Sequence, residues 1–379
     1  MMIYFDNAST TRVSKVSANA ALSAMTENFG NPSSLHRLGI AAEDIISDSA
    51  GIIAGILGAS EDEIIFTGSG TEANNLAIRG ALEPGKRNYN KFIYDAVEHE
   101  SVVGIASYLQ KEGYEVIAVP PREDGSADTE RIIESVDGKT GLVSLMLVNN
   151  ETGSFTDVSE AVKKIKRKNP NTKVHIDCVA AFCKTDCNVK RLGADLVTIS
   201  GHKIHAPKGV GAVYIKRGVR LLPIMSGSGQ QRGIRPGTES VPLIAAFGAA
   251  AEESYENSDK AVKKISEINK FLREEIGKIE SAVINSPADA SPFVLNFSTC
   301  AVKSEIMLHF LEGYEIYLSS GSACAKGEKS HVLKGMGLKR EIVDTALRIS
   351  FCDENTLEEA KVFIKAINDG LARLKRSYK

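Results

Sequence analysis

Ser200-Gly201-His202-Lys203-Ile204-His205-Ala206-Pro207-Lys208-Gly209 is a polar turn between two apolar runs, Ala194 to Ile199 (ADLVTI) and Val210 to Ile215 (VGAVYI). Short apolar runs bounded by turn residues read as buried strands. A lysine on such a turn is well placed for chemistry, because its amine is a nucleophile only when neutral, and a dry setting or a neighbouring cation lowers its pKa. His202 and Lys208 supply such neighbours in sequence. Taken alone, Lys203 is one of 46 Lys and Arg residues, and most such residues lie on a solvated surface.

Its partner lies upstream, in Lys173 to Cys178 (KVHIDC), where Val174 and Ile176 alternate with His175 and Asp177. This spacing predicts a short strand with Asp177 at its carboxyl end, where open α/β sheets bind ligands. A strand-end carboxylate and a lysine on a nearby turn are the two groups a pyridoxal phosphate enzyme needs. The first keeps the pyridine nitrogen protonated and the second forms the Schiff base.

Around this pair the pattern is α/β. Strands are predicted at 64–67, 91–94, 142–148, 173–177, 194–200 and 210–215, with helices at 72–82 and 102–110, an alternation that gives a mainly parallel sheet covered by helices. From residue 252 a charged helix carries Val262, Ile265, Ile268, Leu272, Ile276 and Ile279 at spacings of three or four. A strand at 293–298, a helix at 304–311, a strand at 347–351 and a terminal helix from Leu357 follow, as expected of a smaller α+β domain. The predicted division is a large domain over 15–255 and a small domain over 256–379, rejoined by 1–14.

Composition narrows the function. With 379 residues, 43% hydrophobic content and a formal net charge of −2, the chain reads as a soluble, two-domain globular protein. Nothing in it signals nucleic-acid binding. The basic run Lys163 to Lys168 (KKIKRK) lies on a helix whose other face is Val158, Ala161, Val162 and Ile165, and reads as a solvated surface. The amino terminus, MMIYFDNASTT, has no basic region followed by an apolar core, and Val241 to Ala251 is too short to span a bilayer. A cytoplasmic location without membrane attachment is therefore expected. The six cysteines are then expected to be reduced.

Further motifs carry chemistry. Phe66-Thr67-Gly68-Ser69-Gly70-Thr71-Glu72-Ala73 joins a strand to a helix, so its glycines and helix amino terminus suit a phosphate, with Thr71 donating. Gly68, Gly70 and Ala73 also fit a dinucleotide fingerprint, but a nicotinamide enzyme leaves Asp177 and Lys203 unexplained. His99 stands between Glu98 and Glu100, which are expected to favour its charged form, for proton shuttling or for stacking on an aromatic cofactor. Asn149-Asn150-Glu151-Thr152-Gly153 offers amides for a carboxylate or a cofactor oxygen, or makes an Asx turn. In Ser319-Ser320-Gly321-Ser322-Ala323-Cys324, followed by Lys326, Lys329 and His331, small residues and cations frame a reactive thiolate. Cys300 and Cys352 read as packing residues. Cys178, Cys183 and Cys187 lack the paired C-x-x-C units of a zinc site and also read as packing, so no metal ligands are predicted.

Taken together, SGHK, VNNETG, EHES, RPGT and SSGSAC, with Tyr4-Phe5-Asp6-Asn7-Ala8-Ser9-Thr10-Thr11 and Gly30-Asn31-Pro32-Ser33-Ser34, resemble the NifS/IscS-type cysteine desulfurases over nearly the whole chain. These are class V aminotransferase-group enzymes of fold type I. The resemblance implies a seven-stranded, mainly parallel sheet and a pyridoxal phosphate cofactor. It implies Lys203 as the Schiff-base lysine, Asp177 as the pyridinium partner and His99 as the stacking residue. Gly70, Thr71, Ser200 and His202 would hold the cofactor, joined across a homodimer interface by Thr238. Asn150 and Arg348 would bind the substrate carboxylate, Asn150 also touching the cofactor, and Cys324 would take the sulfur of L-cysteine as a persulfide and release alanine. An iron–sulfur scaffold or tRNA-thiolation protein is the implied acceptor. One position departs from the family pattern: Ala180 stands where a glutamine usually meets the cofactor's phenolic oxygen. A related lyase acting on selenocysteine or another amino acid, and a weakly active cofactor-binding accessory protein, are the alternatives.

Overall fold

The computed structural model describes residues 2–321 and 329–375. After β1 (Ile3–Tyr4), one sheet takes β2 (Ile64–Thr67), β3 (Lys91–Asp95), β4 (Glu115–Val119), β5 (Thr140–Met146), β6 (Lys173–Asp177), β7 (Leu196–Ser200) and β8 (Gly211–Ile215). Its order is β2-β8-β7-β6-β5-β3-β4, with seven strands as the resemblance implies. The run from β4 to β7 is parallel, and β8 is antiparallel to both of its neighbours.

These strands are covered on both faces, which is why most read as unbroken apolar runs. Alternate residues face opposite layers. Ile93, Val143 and Val197 pack with Ile53 and Phe247 on one side, while Phe92, Leu142 and Leu196 pack with Leu76 and Ile78 on the other. The strand that sequence patterning omits is β4, at the sheet edge, where Glu115 and Ala118 are exposed and the apolar run is only Val116 to Val119. The helix predicted from Glu72 spans Gly70–Leu82 instead. Its start is set by Ser69, whose Oγ accepts the Glu72 N–H at 3.1 Å.

Beyond the helix Ser258–Gly277, β9 (Val283–Ile284), β10 (Val294–Ser298) and β12 (Ala346–Ser350) form an antiparallel sheet, and β11 (Ile316–Tyr317) pairs in parallel with β1. A separate apolar cluster backs these strands and includes Ile265, Leu272, Leu295, Leu347 and Phe363, together with Ile3 and Phe5 from the chain start. Phe5 meets Phe351 and Phe363 edge to face, at centroid distances of 5.5 and 5.9 Å.

From there the first segment crosses to the large sheet. Asp6 bridges to Ser350, the Thr11 N–H donates to the His202 carbonyl at 2.9 Å, and the Ser14 N–H donates to the His205 carbonyl at 3.0 Å.

Candidate active site

Strands β6 and β7 end side by side, which brings Asp177 and Ser200 to the same rim, where the loops after β2 and β5 also arrive. A cavity of about 200 Å³ opens there, lined by Gly70, Thr71, His99, Asn150, Asp177, Ser200, His202, Lys203 and Arg348. Nine of the residues singled out from sequence therefore meet in one place. Thr238 is exposed and does not line this cavity. Cys324 lies outside the described residues.

Lys203 is held from the amino-terminal segment. Its Nζ donates to the carbonyls of Ala8 at 2.6 Å and Ser9 at 2.9 Å. His202 places Nδ1 3.3 Å from Thr10 Oγ1, and burial, then the charges of Lys203 and Lys208, push its pKa down to about 4. The imidazole is thus neutral near pH 7.

Asp177 is buried and receives the Asn74 side-chain N–H on Oδ2 and the Val179 N–H on Oδ1, each at 2.9 Å. Asn74 is the first member of a buried chain that the motifs did not reveal. Thr198 Oγ donates to Asn74 Oδ1 at 2.6 Å, His175 Nε2 lies 3.2 Å from Thr198 Oγ1, His175 Nδ1 lies 2.9 Å from Ser144 Oγ, and Ser144 Oγ lies 2.7 Å from Glu98 Oε1. Burial pushes the His175 pKa down to about 4, so the ring is neutral; burial and the nearby Asp177 push the Glu98 pKa up. Ser144 Oγ donates to Glu98 Oε1, while Thr198 Oγ1 donates to Asn74 Oδ1 and Asn74 Nδ2 to Asp177 Oδ2, so the cavity end of the chain points towards the Asp177 carboxylate.

The expectation that flanking acids charge His99 is overturned. Burial dominates and lowers its pKa. Glu98 turns to Ser144, and Glu100 places Oε1 3.0 Å from His331 Nδ1. His99 instead caps the helix Glu100–Lys111, its Nδ1 accepting the Ser101 N–H at 3.1 Å.

Arg348, on β12, is almost fully buried. Its guanidinium donates to the Asn150 carbonyl at 3.1 Å, Asp6 Oδ1 at 3.1 Å and Ser9 Oγ at 2.7 Å, while Nε has no partner among the described residues. Both flanks of the Cys324 segment are anchored beside it. The Arg348 N–H donates to the Ser319 carbonyl at 2.7 Å, Ser330 Oγ donates to Glu151, and His331 Nε2 lies 3.0 Å from the Glu98 carbonyl. Two of the cations expected to favour the Cys324 thiolate have partners of their own, Lys329 pairing with Asp344 at 2.5 Å and His331 with Glu100, while Lys326 lies outside the described residues.

Ala180 lines the cavity, and four residues on so does Lys184, whose pKa burial pushes down to about 8. Cys178, Cys183 and Cys352 are buried, and burial raises the pKa of each thiol. Cys300 is only partly buried, with its backbone at φ 49°.

A sequence profile for the family described as Aminotransferase class-V matches residues 3–363. A protein of Nostoc sp. named cysteine desulfurase is 37% identical over 99% of this chain and 94% of its own length. A solved structure titled NIFS-LIKE PROTEIN superposes with a TM-score of 0.94 at 35% identity, covering 99% of this chain and all of the other. The chain belongs to the NifS/IscS-type cysteine desulfurases. Another solved structure similar to it, titled SspA in complex with cysteine, has a TM-score of 0.82 at 29% identity and covers 92% of this chain and 98% of that one.

Desulfurases of this family work with pyridoxal phosphate, and the cavity fits that group on its own evidence. Ser200 Oγ is buried without a partner among the described residues, beside the amino terminus of the helix Gly70–Leu82. An orphaned hydroxyl and a helix start suit a phosphate. Gly211 keeps that helix start close, since a Cβ there would meet the Ser69 carbonyl carbon at 2.8 Å and the Gly70 nitrogen at 3.0 Å. Asp177 and Lys203 line the same cavity.

Proposed function

We propose that this chain is a pyridoxal phosphate-dependent cysteine desulfurase that converts L-cysteine to L-alanine and passes the sulfur through a persulfide on Cys324. The observation that carries this reading is the convergence of Lys203, Asp177 and Arg348 on one cavity. Gly70, Thr71, Ser200 and His202 would hold the cofactor phosphate, with His99, Asp177 and Lys203 as the residues for its ring, its ring nitrogen and its covalent attachment. When bound, the cofactor accepts the electron pair released at the substrate's α-carbon.

The protein's own groups do the rest. Arg348 and Asn150 receive the substrate carboxylate, with the remaining guanidinium bonds fixing its direction. The Ala8 and Ser9 carbonyls aim Lys203 Nζ, which removes the α-proton once its amine is free. Asn74 and the chain behind it orient Asp177. The Cys324 thiolate attacks the substrate sulfur; an S–S bond forms as the carbon–sulfur bond breaks, and the carbon takes a proton to give alanine.

The division into a large domain, 15–255, and a small domain, 256–379 with 1–14, is supported by the separate apolar cluster that takes in Ile3 and Phe5. A homodimer, with Thr238 serving the partner's cavity, is supported by the apolar side chains that Leu22, Met25, Phe29, Leu35 and Ile40 leave exposed near the chain start. The acceptor is an iron–sulfur scaffold or tRNA-thiolation protein. No helix among the described residues is long and apolar enough to cross a membrane, and the described cysteines are free thiols, which supports a cytoplasmic location.

The test measures alanine and sulfide released from L-cysteine by the cofactor-loaded protein with a reductant. Lys203→Ala and Cys324→Ala are each expected to lose about 10²- to 10⁴-fold. Alanine production that survives Cys324→Ala removes the persulfide route, and its survival in Lys203→Ala removes the assigned base.

A further inference from the structure

Behind the Lys203 turn lies a second cavity of about 130 Å³ that the desulfurase chemistry does not use. His205 enters it from the turn, and Cys352 and Asp353 enter from the end of β12. One donor atom from each, an imidazole nitrogen, a thiol sulfur and a carboxylate oxygen, all lie within 4.8 Å of one another. His205 Nε2 is 3.7 Å from Asp353 Oδ1.

The imidazole is held for ligation. Its backbone sits at φ 70°, a strained conformation for a residue with a side chain, fixed by the His205 N–H donating to Thr11 Oγ1 at 2.8 Å and the His205 carbonyl accepting the Ser14 N–H. Nδ1 lies 2.9 Å from the Arg12 carbonyl, which only accepts, so Nδ1 carries the hydrogen. In the neutral ring Nε2 then presents a lone pair towards Asp353 and Cys352. A ring nitrogen fixed by its other N–H on a backbone carbonyl is the usual support of a metal-bound histidine. On the facing side, the Cys352 N–H donates to Asn355 Oδ1 at 3.0 Å and its side chain is buried.

We propose that His205, Cys352 and Asp353 bind a divalent cation of the zinc class, bridging the Lys203 turn to the end of the Arg348 strand. Mixed nitrogen, sulfur and oxygen donors suit zinc and its borderline neighbours rather than magnesium or calcium. Bond lengths of about 2.0–2.3 Å bring the ligand atoms of a tetrahedral ion within about 4 Å of one another, so closure needs shifts of about 1 Å, which half-exposed Asp353 supplies. The fourth position faces the cavity and takes water. Binding breaks the Cys352 S–H bond, forms a sulfur–metal bond and releases the proton to solvent. Lys184 and Lys203 line this cavity, with Glu253 and Glu354 offsetting their charge.

The test titrates Co²⁺ into the cofactor-loaded protein carrying Cys324→Ser, which removes a competing thiol, and reads the tetrahedral cobalt bands at the red end of the visible spectrum. One ion per chain, displaced by Zn²⁺, is expected. Cys352→Ser and His205→Asn should each weaken binding about tenfold or more, with circular dichroism confirming that they fold, while Cys183→Ser leaves it unchanged. Absence of the bands, or bands that survive both Cys352→Ser and His205→Asn, overturns the site. Loss on Cys183→Ser alone also overturns it. None of these readouts depends on desulfurase turnover.

Discussion

His175 and Asp95 are both buried, yet their effects on stability run in opposite directions with pH. His175 has a folded pKa of about 4 against an unfolded value of about 6.5, so between these the unfolded chain binds more protons and stability falls as pH drops, by up to about 3 kcal/mol. His202, also pushed to about 4, adds to the same slope. Asp95 is raised to about 7 by burial. Here the folded chain holds the proton, so stability is present at low pH and is lost as pH rises through the raised value. Melting temperature measured from pH 4 to 8 should therefore rise less steeply between about pH 4 and 6.5 in His175→Asn, and fall less between about pH 4 and 7 in Asp95→Asn. Unchanged profiles would mean that neither side chain titrates as buried. Asp95 drew no attention in the sequence because an acid at the end of an apolar strand looks the same whether solvated or enclosed. Lys203, by contrast, announced itself through the apolar runs on either side.

At the scale of elements, the chain from Glu98 to Asp177 joins β5, β6 and β7 to the helix Gly70–Leu82 and to the loop before the helix Glu100–Lys111. If Glu98 accepts as a neutral acid, an amide can replace it. Glu98→Gln should then keep kcat within about threefold, whereas Ser144→Ala interrupts the chain and should shift the pH profile, with a stability cost of about 1–3 kcal/mol for the unpaired groups. A large loss in Glu98→Gln alone would show that the ionised carboxylate is what matters. The His175 and Asp177 alternation was visible in the sequence, but its continuation through Thr198 and Asn74 was not, because neighbours across a sheet are distant in sequence. Edge strand β4 escaped notice for a different reason: its apolar run, Val116 to Val119, is short and only partly buried. Around Ala180, the sequence showed the missing glutamine but not that Lys184, four residues further on, reaches the same wall.

For the whole molecule, the amino-terminal segment joins the parts on which the proposed chemistry depends. Phe5 anchors it among Phe351 and Phe363, and a few residues on, Ala8 and Ser9 hold Lys203. Phe5→Ala should cost about 3–5 kcal/mol in urea unfolding. Turnover should fall further than the unfolded fraction explains, since the lysine's carbonyl clamp loosens with it. Activity that tracks only the folded fraction would deny the segment a positioning role. The motif Tyr4 to Thr11 was conspicuous in the sequence, though nothing in it gave the direction of its route.

That route also has a consequence in time. During synthesis β1 is made before the large sheet, but its partner β11 and the Ser350 bridge to Asp6 are made after it. Until then the segment that carries the Ala8 and Ser9 carbonyls lacks its anchors beside Lys203, and Arg348 has not been added. Ribosome-bound chains can assemble the large sheet early, but the clamp on Lys203 is completed only once the small-domain strands that hold it have been made.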